Sequence, residues 1–350
     1  MRPRVLVAMS GGVDSSVAAA LVAESGAEAV GVTMKLLGRE GVGFGCCGSP
    51  ADVQDAKRVC EKLGISHYTV DMAELFNDAV IKPFIDAYAA GRTPNPCVEC
   101  NRKVKFGHLL GLAQAWGCDT VATGHYARVE GGRLLRSRDE AKDQTYFLYA
   151  LTARELGKVS FPVGGLSKDE VRAKARELGL KTADKPESME TCFVPGRDVK
   201  GFLAAHGVAP QPGRVVNAAG ETLGEHAGYA GLTVGQRKGL GVTTKAPVFV
   251  TRIEPETNTV VVGGKDETFS KGLTATGVTW TGAAPGAPTR IHARIRHRHA
   301  PAAALLTVAG ETASLSFEAP QASVTPGQAV VFYAGDEVLG GGTIVRGEPS

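Results

Sequence analysis

Val5-Leu6-Val7-Ala8-Met9 runs directly into Ser10-Gly11-Gly12-Val13-Asp14-Ser15-Ser16, and an alanine-rich stretch then continues to Glu24. A short, wholly apolar run is the pattern of a strand buried on both faces of a parallel sheet. The stretch from Asp14 to Glu24 reads as a helix, with Asp14 and Ser15 at its start. The loop between them is therefore a strand-to-helix turn. Its glycines let backbone N–H groups approach an oxyanion, the helix N-terminus adds partial positive charge, and the serine hydroxyls donate further hydrogen bonds. It is not the loop of γ-phosphate-transferring ATPases, which ends in Gly-Lys-Ser/Thr, because no such lysine is present.

Outward from this junction the first 130 or so residues alternate in the same way. Strands fit Ala29–Lys35, His67–Val70 and Thr120–Thr123, and helices fit Asp52–Leu63 and Phe106–Trp116. That alternation predicts a doubly wound α/β parallel sheet. Residues 167–178 read as a capped amphipathic helix ended by Gly179. Near residue 200 the texture changes to short alternating runs with frequent Gly, Pro and Thr, as in Pro247–Ile253, Thr259–Val262, Ala313–Phe317 and Ala329–Tyr333. These predict β-rich structure. Three domains are expected: 1–200, a small central β-rich domain over 201–275, and a C-terminal β-barrel over 276–350.

Composition sets limits. The 350-residue chain has a net charge of +3, so a nucleic-acid surface has to be local. No export signal or membrane-spanning stretch is read, and a soluble cytoplasmic protein is expected. Seven cysteines, all at or before residue 192, argue against a disulfide framework and place any thiol chemistry in the first domain.

The cysteine-bearing segments carry more. Thr93-Pro94-Asn95-Pro96-Cys97-Val98-Glu99-Cys100-Asn101 is followed by Gly124-His125-Tyr126-Ala127, Lys142-Asp143-Gln144-Thr145-Tyr146-Phe147-Leu148 and Cys192-Phe193-Val194-Pro195. Later come His226-Ala227-Gly228, Thr233 to Gly241, Gly327-Gln328 and Leu339 to Gly342. The first loop resembles that of the ATP pyrophosphatase superfamily, whose members cleave ATP between the α and β phosphates. Taken in order, the motifs resemble the tRNA-specific 2-thiouridylases over nearly the whole chain.

That resemblance implies an ATP-dependent enzyme, using Mg²⁺, that adenylates the C2 oxygen of the wobble uridine in tRNAs for Lys, Glu and Gln and replaces it with sulfur. It implies Cys100 and Cys192 as the catalytic pair, one carrying a persulfide supplied by a cysteine desulfurase or sulfur-relay protein. It implies ATP contacts at Ala8, Met9, Ser10, Gly11, Gly12, Val13, Asp14, Ser15, Met34 and Gly124. The target base is expected against Asn95, Pro96 and Cys97, and tRNA contacts at His125, Lys142, Asp143, Gln144, Arg294, Ile295 and Gln328. Thiolate chemistry fits the residue types, since delivery of sulfur to carbon needs a nucleophilic sulfur and its release needs a second thiol. Cys60 and Cys118 read as buried, inert thiols.

Cys97 departs from the aspartate common in the family. It creates Cys-x-x-Cys with Cys100, so Cys97, Cys100 and Cys192 could hold a [4Fe–4S] cluster. A metal-free persulfide relay is the alternative, and a zinc site would need Cys46 and Cys47 as well. Arg290–His299, with four arginines and three histidines in ten residues, would put Arg290, His292, Arg294, Arg296 and Arg298 on one strand face. Composition alone reads this as a charge-protected edge strand; the resemblance reads it as a tRNA contact. Two rivals remain: another activating enzyme of the superfamily, such as an amidotransferase-linked synthetase or argininosuccinate synthetase, which needs neither cysteine, and a non-catalytic RNA-binding or redox-sensing protein.

Overall fold

The computed structural model describes residues 2–38, 48–186 and 191–349. Five parallel strands form the first sheet, in the order Ser66–Asp71, Glu28–Lys35, Arg4–Ala8 (β1), Thr120–Thr123 and Val159–Ser160. Alternation along β1 feeds two cores. Leu6 points into one apolar cluster with Val32, Phe84 and Cys100, while Val5 and Val7 point into the other with Val17, Ala56 and Cys60. The sheet is thus covered on both faces, as an all-parallel sheet requires. Strand order reverses at β1, whose neighbours Glu28–Lys35 and Thr120–Thr123 lie on opposite sides of it. In open α/β sheets a ligand crevice opens at such a switch point, beyond the carboxyl ends of the strands.

The helix Val13–Glu24 (α1) follows β1 as expected, and Lys168–Glu177 is closed by a full capping box between Ser167 and Glu170. Gly179, at φ +58, ends that helix in the left-handed conformation. Ahead of Thr93, the Ala73–Ala89 segment is helical, a π-helical stretch joining two short α-helices. A second π-helical stretch, Cys100–Phe106, precedes Gly107–Ala115.

The second sheet has four strands, in the order Phe249–Glu254, Thr259–Gly263, Gly213–Val216, Thr222–His226. The third contains a closed barrel of six antiparallel strands, sealed because Phe269–Trp280 pairs with both Thr312–Ala322 and Glu337–Pro349. Phe269–Trp280 is one continuous strand through the boundary expected at 275, so the chain enters the barrel before that point. The hairpin Ala127–Arg136, from the first domain, extends the barrel sheet through the pairing of Leu135 with Glu337.

Candidate active site and RNA-facing cleft

α1 begins at the switch point with Gly12 as its N-cap and no side-chain cap. The first turn of a helix has N–H groups without intrahelical partners, and here no side chain of the cap position covers them. Serine hydroxyls shape the loop from inside. Ser10 N donates to Ser15 Oγ (3.2 Å), and Ser15 and Ser16 hydroxyls donate to Gly12 O (3.1 and 2.8 Å). Gly124, at the end of the neighbouring strand, packs on the loop so closely that a Cβ there would lie 2.6 Å from Ser15 N. Ala8, Met9 and Val13 flank the turn. Met34 is buried near the end of the adjacent strand, and Thr33 beside it donates to Met9 O (2.9 Å). The residues expected at ATP thus lie on or beside one loop.

Two lysines that sequence reading did not single out reach the same place. Lys168 Nζ lies 2.8 and 2.9 Å from the two oxygens of Asp14, and Tyr126 OH donates to Asp14 Oδ1 (2.9 Å). Lys185 Nζ donates to Gly11 O (3.0 Å) and pairs with Asp52 and Asp55 at 2.8 and 2.7 Å. Lys168 stood only inside the capped helix read over residues 167–178. No motif spacing ties either lysine to a loop more than 150 positions upstream.

Cys100 is buried in the apolar cluster under the sheet, and half-buried Cys192 packs against that same cluster, with Phe193 and Val194 inside it. The expected pair is therefore carried by one piece of core. Cys97, by contrast, is exposed on the turn before the winding changes to π at Cys100. Among the described residues no group of three Cys, His, Asp or Glu side chains is placed to hold a metal ion. The three thiols expected to ligate a [4Fe–4S] cluster are accordingly no fit for it here. Cys46 and Cys47, weighed for a zinc site, lie outside the described residues, as do residues 187–190 before Thr191.

Asn95 and Pro96 are half-buried beside a small cavity of about 150 Å³ shared with Tyr149 and Gly327. The preceding residues are clasped by the barrel. Gln328 Nε2 donates to Thr93 O and Pro94 O (3.0 and 3.1 Å), and Thr93 N donates to Pro326 O (2.9 Å). Gln328 is thus a positioning residue for this segment.

Arg290–His299 needs a correction. The strand Thr289–Arg294 is paired on both sides, so it is not an edge, and it ends at Arg294. Alternation therefore stops before Arg296 and Arg298, which lie in the following turn. Arg294 points inward: Nη1 pairs with Asp143 at 2.9 Å, and Ile295 is buried. Asp143, itself buried, also accepts from Ser137 N (3.2 Å) and from Thr145 Oγ1 (2.9 Å). Gln144 and Tyr126 exchange two bonds of 2.9 Å. One contact path thus runs from barrel Arg294 through Asp143, Gln144 and Tyr126 to Asp14 in the loop. Lys142, next to Asp143, is half-buried.

His125 lies between Phe106 and Phe161 with ring centroids 5.9 and 6.1 Å away, and its Nδ1 is 2.7 Å from Thr123 Oγ1. Burial, helped by the charge of Lys105, pushes its pKa well below the ordinary value.

A larger cavity of about 650 Å³ opens where the three units meet, lined on one side by Thr191 and Arg197, on another by Thr233 and on a third by Arg296, His297 and Gln328.

A strand-to-helix loop at the switch point under an uncapped helix, followed by a four-stranded sheet and a closed barrel, defines a nucleotide-binding HUP-domain protein. Residues 3–196 match the family described as tRNA methyl transferase HUP domain, 200–264 its PRC-barrel domain, and 270–344 the aminomethyltransferase beta-barrel domain. The chain is 49% identical to the tRNA-specific 2-thiouridylase MnmA of Geobacter metallireducens, covering 98% of this chain and 97% of the relative. It is 48% identical to that of Carboxydothermus hydrogenoformans, covering 99% and 98%, and 47% identical to that of Solibacter usitatus, covering 97% and 98%. The chain belongs to the tRNA-specific 2-thiouridylase family. The domain descriptions speak of methyl transfer, whereas these full-length relatives are named for thiolation.

Proposed function

We propose that this enzyme 2-thiolates the wobble uridine of tRNAs for Lys, Glu and Gln in the cytoplasm, using ATP. The observation that supports this best is the shared support of the chemistry: the sheet that ends in the uncapped loop also carries the core in which Cys100 and Cys192 are packed. ATP is the co-substrate that suits the crevice, with its phosphates against the N–H groups of α1 and its adenine between the backbones at Met34 and Gly124. Mg²⁺, when bound, neutralises phosphate charge, and Asp14 is the carboxylate available for it. Lys168 is then free to leave Asp14 for the phosphates.

The uridine C2 oxygen attacks the α-phosphate, pyrophosphate leaves, and the base is left O-adenylated. Uridine reaches the crevice by leaving the base stack, resting against Asn95, Pro96 and Cys97. The terminal sulfur of a persulfide on Cys192 attacks C2 and AMP departs, leaving a C2–S–S–Cys192 linkage. The Cys100 thiolate attacks Cys192 Sγ, which releases the 2-thio base and forms a Cys100–Cys192 disulfide. An external thiol reductant then restores both thiols, and a cysteine desulfurase or relay protein reloads Cys192. A persulfide needs no third ligand, so no step is routed through a cluster.

The test is thiolation of unmodified tRNA by wild type, Cys100→Ser and Cys192→Ser, with ATP and a desulfurase-loaded sulfur supply. Both variants should release pyrophosphate with tRNA yet form no 2-thiouridine. Undiminished thiolation in both would remove the assignment. Base methylation from a methyl donor without ATP would favour the wording of the domain descriptions instead.

A further inference from the structure

Arg197 is a backbone outlier to which the proposed chemistry assigns no part. Its φ is +61, immediately after Gly196 at φ +60. The left-handed region suits glycine and is uncommon for a residue with a Cβ. Both flanks hold it there. Upstream, Phe193 and Val194 are buried in the core under the sheet. Downstream, Asp198 caps the helix Val199–Ala205, its carboxylate accepting from Gly201 N at 2.9 Å. An arginine kept where glycine would relax the chain, and lining a cleft five residues after a candidate sulfur carrier, points to a use for its side chain.

The cavity of about 650 Å³ shows what that use is. Facing Arg197 are Arg296 and Arg298 from the turn after the barrel strand, with Arg296 Nη2 braced on Ala322 O at 3.3 Å. His297 is kept mostly neutral by burial and by the neighbouring arginines, although the Asp143 carbonyl, 3.3 Å from its Nε2, acts the other way. The positive charge therefore resides on guanidinium groups. Thr191, Thr233, Thr325 and Gln328 add hydroxyl and amide groups, and among the described residues no carboxylate lines the cavity. Guanidinium groups on two walls with neutral hydrogen-bonding groups between them suit a ribose-phosphate strand.

We propose that this cavity holds the RNA backbone next to the uridine to be thiolated, with Arg197 as the phosphate anchor on the Cys192 side. The proposal rests on tRNA being the substrate. Its consequence is that RNA capture and the position of Cys192 share one short, doubly anchored segment.

The test is binding of an unmodified tRNA transcript to the full-length protein across a salt series, for wild type, Arg197→Gly and Arg197→Lys. Arg197→Gly removes the charge and relaxes the backbone together, so its thermal midpoint should not fall. Its Kd should rise about tenfold, and the slope of log Kd against log salt should shrink by about 0.7, as for one lost contact to a single strand. Arg197→Lys should keep the slope and recover part of the affinity. Unchanged Kd and slope in Arg197→Gly would overturn the proposal. So would unchanged tRNA binding with slower loading of sulfur onto Cys192, which would make the cavity a dock for the donor protein. A wild type that shows the Arg197-dependent slope but never thiolates would defeat the proposed reaction and leave the cavity assignment intact. Thiolation with an unaffected Arg197→Gly would do the reverse.

Discussion

Two carboxylate–cation pairs of nearly equal length do opposite work in this molecule. At the loop, Asp14 meets Lys168 at 2.8 Å, with side chains 30% and 10% exposed. At the barrel joint, Asp143 meets Arg294 at 2.9 Å, with side chains 0% and 9% exposed. Water reaches Asp14 in the first pair, although Lys168 is as buried as Arg294, so the carboxylate can exchange its partner for a metal or for solvent at modest cost. The second is dry and wrapped: Thr145 and the Ser137 amide hold Asp143, while the Arg294 guanidinium lies over the Tyr333 ring at 5.6 Å. Among the described residues Arg136 Nε is the only other cation near that carboxylate, at 3.9 Å, so losing Asp143 strands Arg294 while losing Arg294 leaves Asp143 only that longer pair. Proximity of opposite charges therefore says little about role until burial is added. The loop pair is replaceable and the joint pair is a weld.

The strongest way to break that contrast is Asp143→Ala. It strands Arg294 in the barrel and should destabilise the protein by about 3–5 kcal/mol. Pairing it with Arg294→Met should recover much of the loss, since an apolar pair of similar volume needs no counter-charge. Trp280 stacks near Phe332 inside the barrel (5.7 Å), so urea titration of Trp116→Phe backgrounds, read by Trp280 fluorescence, reports the joint directly. A loss under about 1 kcal/mol would place this pair with surface ion pairs.

Lys168→Ala probes the other side. Stability should change by no more than about 1 kcal/mol, because Asp14 can turn to water. Pyrophosphate release with tRNA and ATP should fall about 10²–10³-fold, the usual effect of removing one preorganised donor from a developing anion. A variant that unfolds, or that releases pyrophosphate at the wild-type rate, would make Lys168 a structural partner of Asp14 and nothing more.

The same contrast explains what the sequence made legible. Ser10–Ser16 could be read because its chemistry is local: a strand, glycines and a helix start are contiguous, and contiguity fixes their geometry. The doubly wound sheet followed for the same reason. Cys100 and Cys192 were found through resemblance, since 92 positions separate them and only the core under the sheet brings them together. Lys168 and Lys185 were missed because long-range pairing leaves no periodic trace. Arg296 and Arg298 were misplaced because strand alternation was extended past the bend at Ile295, and the edge reading failed because the strand is paired on both sides. Cys-x-x-Cys suggested a metal, yet a change of helical winding between its two thiols leaves one exposed and the other buried.

pH separates the two regions further, and the signs are opposite. Burial, foremost, and the charge of Asp143 push the Tyr333 phenol from 10 up to about 12. The unfolded chain therefore releases this proton first, and the joint's contribution is constant below pH 10. It is lost between pH 10 and 12 at about 1.4 kcal/mol per pH unit. Tyr333→Phe should remove that share of the alkaline slope in urea titrations at stepped pH. An unchanged slope would mean the loss comes from other buried groups, such as Tyr146 and Tyr149, whose phenols burial also pushes up.

On the loop side acid is the threat. His125 has its pKa lowered by burial and by Lys105, so the unfolded state takes up the proton first. Its contribution is fully present above pH 6.5 and declines below it by at most about 1.4 kcal/mol per pH unit. His125→Gln should flatten the stability profile below pH 6.5. The imidazole is neutral at pH 7, so any RNA contact it makes is a hydrogen bond without counterion release. The salt dependence of tRNA binding in His125→Gln should then match wild type even if affinity drops. A reduced salt slope in that variant would mean the bound state carries a protonated His125. The loop would then resemble the arginine-lined cleft, in which charge does the recognising.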